Sequence, residues 1–164
     1  MSQQSYEESY LGQMRKLVGK EKMLIIATRA VLRDDDGCVL FIRRRDNGRW
    51  AMPAGAMELD ESVFNCVVRE VREETGLEVH AATLFAIWSD PDKTSIVTQF
   101  GDPYQVISCI FQVNEWSAQL VTQTDETTDA QFYPLDALPE TPSHYLKTLA
   151  ELRQFEEDGK LIVR

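Results

Sequence analysis

Apolar residues recur along the chain at two periods. Residues 23–33 (MLIIATRAVLR) and 38–45 (CVLFIRRR) are aliphatic, β-prone runs separated by Asp34-Asp35-Asp36-Gly37, a turn-forming cluster, and together they predict a hairpin. Further β-like runs cover residues 77–88, 104–113 and 130–133. Between them Val63, Val67 and Val71 form an i, i+4 stripe, with Phe64 and Val68 beside it. That spacing predicts a helix over 61–75, and Gly76 stands where such a helix stops. A second helix is expected from about 143 to 158, where Leu146, Leu149, Ala150 and Leu152 repeat at helical spacing. Residues 6–18 (YEESYLGQMRKLV) place Tyr10, Met14, Leu17 and Val18 on a weaker stripe that ends at Gly19. The expected layout is an N-terminal helical arm over 1–20 and one domain over 21–164, of α+β or α/β/α layered class rather than an all-β barrel.

Composition narrows the function classes. A chain of 164 residues, 43% hydrophobic and 27% charged, has ordinary globular make-up. At that size it can bury roughly 70% of its unfolded surface without metal or disulfide staples. The longest aliphatic run, Met23 to Ala27, is far short of the about 20 residues that span a bilayer. Residues 1–10 are polar and acidic and lack the pattern of a secretory signal. Cys38, Cys66 and Cys109 are widely spaced, which argues against a disulfide framework or a zinc knuckle. A cytoplasmic protein is expected. The formal charge is −10, but unevenly placed: residues 1–50 carry ten basic and seven acidic side chains, residues 51–164 seven and twenty. Such an acidic surface disfavours nucleic acid and anionic membrane as partners. One local cluster, Arg43-Arg44-Arg45 with Arg49, suits a small anionic ligand, or is solvated strand-end charge.

The chemistry concentrates in residues 55–77. Glu70, Glu73 and Glu74 stand at i, i+3 and i+4, so they leave one face of the helix within about a turn. They repel one another and crowd the helix C-terminal half, where the macrodipole disfavours anions. A solvated acidic face is one account. A hard divalent cation is the other, because Mg²⁺ or Mn²⁺ takes carboxylate oxygens and bridges to substrate phosphates.

Gly55, five residues, Glu61, seven residues, then Arg69-Glu70-Val71-Arg72-Glu73-Glu74-Thr75-Gly76-Leu77 resembles the Nudix box at every specified position. Upstream Trp50-x-x-Pro53-Ala54-Gly55 and downstream Tyr133-Pro134-Leu135-Asp136-x-Leu138-Pro139 resemble the flanks of such domains. The resemblance implies an α/β/α sandwich with a mixed β-sheet and Mg²⁺-dependent hydrolysis of a nucleoside diphosphate linked to another moiety. It implies Glu70 and Glu74 as prime metal ligands and Glu73 as a further ligand or the residue that orients a water. Arg69 would hold a catalytic glutamate in place, and Glu61 would act as a supporting acid at the helix start. Gly55 would permit the turn into the helix, and the Ala54 carbonyl would complete the metal shell. Ala54 departs from the glycine common at this position.

Outside the box the loop TQTDETTD offers Asp125 and Glu126, where some relatives draw a catalytic base; a solvated turn is the alternative. Arg45 is the expected phosphate contact, with Arg43 on the same strand face and Arg44 on the other. Trp50, Trp88 and Trp116 could stack on a base or simply pack. Pro91, fifteen residues beyond Gly76, hints at ADP-ribose or a nucleotide sugar, but a turn proline fits its Ser-Asp-Pro-Asp setting equally. Nucleoside triphosphates stay open as substrates. Other readings are a dinucleoside polyphosphate hydrolase, a noncatalytic nucleotide sensor on the same fold, and an enzyme of RNA 5′ ends. The helical arm is expected to pack on a second subunit, giving a homodimer.

Overall fold

A computed structural model describes residues 6–98 and 100–164; the first five residues of the expected arm lie outside the described residues. The chain folds as a mixed α/β domain around two sheets. In the larger, β1 (Met23–Val31) runs parallel to β7 (Pro103–Ser117) over nine paired residues, from Met23 opposite Tyr104 to Val31 opposite Gln112. On its other side β1 takes the short antiparallel β4 (Ala54–Ala56). β7 continues to antiparallel β5 (Glu78–Trp88), which carries the parallel edge strand β9 (Ile162–Val163). β6 (Ser95–Val97) pairs with the start of β7. The smaller sheet has β2 (Val39–Arg44) between β3 (Trp50–Ala51) and β8 (Thr127–Tyr133).

The expected 23–45 hairpin is therefore not a ladder. β1 and β2 belong to different sheets and are joined near the turn by a bridge between Arg33 and Val39 and by the Leu40 amide on the Leu32 carbonyl. The reason is burial. Val39, Leu40, Phe41 and Ile42 are all fully buried, so β2 needs cover on both faces, which pairing in one half-solvated hairpin would not supply. Asp34 still shapes the turn, its Oδ1 accepting from the Asp36 and Cys38 amides.

Consecutive residues of β1 show the layering. The Thr28 hydroxyl meets Cys66 of α2 (Val63–Thr75), whereas the Arg29 guanidinium donates to Thr148 of α4 (Ser143–Asp158). Neighbours on a strand point to opposite faces, so the two helices cover opposite sides of the large sheet. α2 starts at Ser62, whose hydroxyl accepts from the Asn65 amide, and stops at Gly76, whose φ of 72° is left-handed. A side chain at Gly76 would also meet Val121.

α4 buries Leu152 of the expected stripe and packs Leu149 partly against the core, but leaves Leu146 out and turns polar residues in. Tyr145, Thr148, Glu151 and Leu152 face inward, and Leu146 is exposed. The polar members turn in because they have partners: Thr148 takes Arg29, and Glu151 accepts a 2.6 Å hydrogen bond from the Trp88 indole and pairs with Arg164.

The arm forms α1 (Tyr10–Val18), capped by the Ser9 hydroxyl on the Gly12 amide. It is latched to its own chain. Arg15 and Lys20 both reach the buried Asp102 carboxylate, at 3.5 and 2.8 Å, and the Tyr10 amide donates to Glu58. Among the described residues no helix is long and apolar enough to cross a membrane. Because Leu152 is fully buried and Leu146 half exposed, Leu152→Ala should cost about 2–5 kcal/mol of unfolding free energy. Leu146→Ala should stay within about 0.5 kcal/mol in the same urea titrations. Equal costs would contradict this placement of α4.

Candidate active site

The chain passes from the small sheet to the large one in the step from β3 to β4, and Pro53-Ala54-Gly55 lies at that junction. Gly55 is level with Thr28 on the face covered by α2. A Cβ here would run into the carboxylate of Glu70, so the bare backbone is what gives that group its room. One turn further along α2, Glu74 is 1% exposed and its Oε2 accepts from the Ala54 amide at 2.9 Å. Ala54 thus meets the cluster through its N–H.

A third carboxylate arrives from the loop before β8. The Thr127 hydroxyl donates to the Glu74 carbonyl at 3.1 Å, tying the start of β8 to the end of α2. As a result one carboxylate oxygen each from Glu70, Glu74 and Glu126 lie within 4.8 Å of one another. Arg45 braces this loop: its amide donates to the Glu126 carbonyl, and its guanidinium donates to the carbonyls of Thr124 and Thr127.

Arg69 organises the opposite side. Its guanidinium donates to both oxygens of Glu61 at 2.8 and 3.0 Å, to Glu70 at 2.7 Å, to Glu73 at 3.1 Å and to the Ala56 carbonyl at 3.0 Å. Glu73 and Glu61 are therefore held by Arg69, and Glu73 shares its Nη1 with Glu70. Arg43 donates to the Gly48 carbonyl, and Arg45 to carbonyls on either side of Glu126. Arg44 meets the helix carboxylates, with Nη1 3.9 Å from Glu74 Oε1 and Nε on Asp46. The sequence placed Arg44 in the arginine cluster but on the strand face opposite the expected contact, Arg45. The only signal for it was the two-face alternation of the RRR run, which cannot say which face holds the site. The β2–β8 register also shifts between Arg43 and Arg44, and no sequence pattern announces that.

Like charges withdrawn from water resist ionisation. Burial pushes the Glu70 carboxyl up to about 7, against the pull of Arg69. Burial likewise holds Glu74 well above the ordinary range, reinforced by the charge of Glu70 and opposed by Arg44 and the Ala54 amide. For Glu61 partial burial acts upward, but the hydrogen bonds of Arg69 and the Glu58 amide outweigh it and leave the group below its usual value. An all-oxygen, anionic donor set of this kind fits a hard divalent cation, which would remove the repulsion that the fold leaves in place.

The three tryptophans pack. Trp88 is bonded to Glu151, Trp116 stacks on Phe132 with centroids 5.7 Å apart, and Trp50 meets Tyr133 edge-on. Pro91 opens the short helix α3 (Pro91–Thr94) behind its cap Asp90, a sufficient local reason for a proline there.

The NUDIX domain family matches residues 23–152. An ADP-ribose pyrophosphatase of Methanocaldococcus jannaschii is 31% identical over 127 residues, covering 75% of this chain and 70% of that protein. The NAD-capped RNA hydrolase NudC of Pseudomonas aeruginosa is 35% identical over 121 residues, but the match covers only 38% of its length. Among solved structures, an ADP-ribose pyrophosphatase from Streptococcus suis superposes with a TM-score of 0.62 at 26% identity, over 85% of this chain and 98% of that one.

The raised carboxyls make a pH prediction. A group whose pKa is higher folded than unfolded favours the fold below its ordinary value, and loses that contribution as pH rises through its folded value. With divalent cations chelated, the melting temperature of the wild type should fall relative to Glu70→Gln between about pH 5 and about pH 8. Added Mg²⁺ should recover more at the upper end, where protons no longer compete for the carboxylates. Parallel curves for both proteins, unaffected by the cation, would contradict the buried-charge account.

Proposed function

Since the chain belongs to the NUDIX family and is a hydrolase of phosphoanhydride bonds, we propose that it is a Mg²⁺-dependent pyrophosphohydrolase of a nucleoside diphosphate linked to another moiety. ADP-ribose and nucleotide sugars are the foremost substrates, and nucleoside triphosphates the next. The observation that carries this reading is the convergence of Glu70, Glu74 and Glu126 beside the Arg44 guanidinium. Carboxylates for a cation and an arginine for phosphate are the two needs of a diphosphate that must be held and polarised.

Mg²⁺ or Mn²⁺ held by Glu70, Glu74 and Glu126 would polarise the phosphate and lower the pKa of an attacking water. The chain's own groups do the rest. Arg44 donates to a non-bridging phosphate oxygen and steadies the charge that grows there in the transition state. Arg69 fixes the rotamer of Glu70 through its 2.7 Å bond, while Glu61 and Glu73 hold Arg69 in turn. The Ala54 amide fixes Glu74. Glu126, the exposed member of the three, reaches solvent and accepts the proton of the attacking water. Arg45 acts at one remove, by holding the Glu126 loop.

The acidic balance of the chain favours a small nucleotide over RNA. The M. jannaschii relative, matched over most of its length, is an ADP-ribose pyrophosphatase, in keeping with the first substrate class.

The test is hydrolysis of a panel of nucleoside triphosphates, ADP-ribose, nucleotide sugars, CDP-alcohols and dinucleoside polyphosphates with Mg²⁺, run beside two variants. Glu74→Gln should lose about a thousandfold in kcat. Arg44→Ala should lose about tenfold to a hundredfold in kcat/KM. No turnover of any member, or turnover that survives EDTA and Glu74→Gln alike, would leave a nucleotide-binding role instead.

A further inference from the structure

A cavity of about 850 Å³ lies between the arm and the β6–β7 segment, with Arg44 in its lining. Resting on the hydrolase reading above, we infer that this cavity receives the nucleoside half of the substrate, and that Tyr6 and Phe100 select for its base.

The cavity is amphiphilic in a way that matches a nucleotide. One side carries Arg44 and Arg49, and Arg44 stands 3.9 Å from Glu74, so that side adjoins the carboxylates that define the reaction centre. Elsewhere its lining holds Ile96, Val97 and Phe100, which expose 47%, 71% and 71% of their surface although all three are apolar. Exposure of that order on three near neighbours is a cost unless something flat and apolar covers them. A nucleobase does so while its phosphates reach the arginines. Aromatic rings are also what a base stacks on, and Tyr6 and Phe100 supply two exposed ones.

The wall is held in place by specific bonds. Arg15 of α1 sits over the Tyr104 ring, 4.6 Å from its centroid, and donates to its hydroxyl. Lys20 donates to the Phe100 carbonyl and to Asp102, and the Tyr6 and Tyr104 hydroxyls are 3.3 Å apart. Tyr6 precedes residue 23, where the NUDIX match begins. Base selection thus draws Tyr6 from outside the matched span and Phe100 from inside it, where the bond-breaking groups also lie.

The experiment compares binding of AMP, GMP, CMP and UMP with that of ribose 5-phosphate, by calorimetry on the full chain in EDTA. At least one nucleotide should bind about tenfold more tightly than the base-free sugar phosphate. That gap should close in Phe100→Ala and in Tyr6→Ala, whereas Arg44→Ala should weaken nucleotide and sugar phosphate alike. Both variants remove exposed side chains, and two positions guard against a local folding defect at one. In turnover the same variants should raise KM and leave kcat within about twofold. Absence of the gap in the wild type, or its persistence in both variants, overturns the inference even if the hydrolase panel is positive. A gap without hydrolysis overturns the enzymatic reading and leaves the base site standing.

Discussion

Glu70 and Glu74 are one helical turn apart and almost wholly withdrawn from water, and the surroundings of the site are arranged around that unfavourable placement. Two carboxylates cannot be buried together cheaply, since each raises the other's pKa and each loses its hydration. The fold offsets this at three points. Gly55 leaves the volume that the Glu70 carboxylate occupies, the Ala54 amide donates to Glu74, and Arg69 lends one guanidinium to Glu61, Glu70 and Glu73 together. The compensation is incomplete, because Glu70 still sits near 7 and Glu74 stays well above the ordinary carboxylate range. A site left with excess negative charge, rigidly held, is primed for a cation that brings a polyanionic ligand with it.

The same constraint explains the chain path around the site. The step from β3 to β4 changes sheets within a few residues and brings Ala54 and Gly55 against Glu74 and Glu70 of α2. Thr127 then ties β8 to the last turn of α2, bringing Glu126 across to the carboxylates of the helix. Two sheets meeting over one helix allow three carboxylates from two distant stretches of sequence to converge.

How far the sequence foretold this varies with the range of the interaction responsible. The α2 helix was legible nearly to the residue, because its valine stripe and Gly76 stop are local signals. The role of Gly55 followed from a resemblance whose spacing spans a single loop and helix. Long-range partners decided what was missed. β1 and β2 read as a hairpin because the turn between them is genuine, yet β1 finds a nine-residue parallel partner eighty residues away in β7. The buried stripe of α4 was misjudged because Thr148 and Glu151 look solvent-facing until Arg29 and Trp88 arrive to satisfy them. Arg44 was hidden for a related reason: three consecutive arginines look alike, and a register shift against β8, set by the partner strand, decides which of them meets Glu74.

That division has a consequence for how chemistry and selectivity are distributed. The groups able to hold a cation and a phosphate are anchored by bonds internal to the 23–152 core: Arg69 to the α2 carboxylates, Ala54 to Glu74, Thr127 to the end of α2. Changing any of them disturbs a buried charge, so they tolerate little variation. The cavity beyond Arg44 is walled by the arm, tied on through Arg15 and Lys20 at Asp102 and Tyr104, and by the exposed side chains of β6 and of the turn into β7. Such a wall can change its side chains at small cost to the fold. Selectivity can therefore drift at Tyr6 and Phe100 while the carboxylates of α2 stay fixed, which is how one reaction centre comes to serve many phosphoanhydrides.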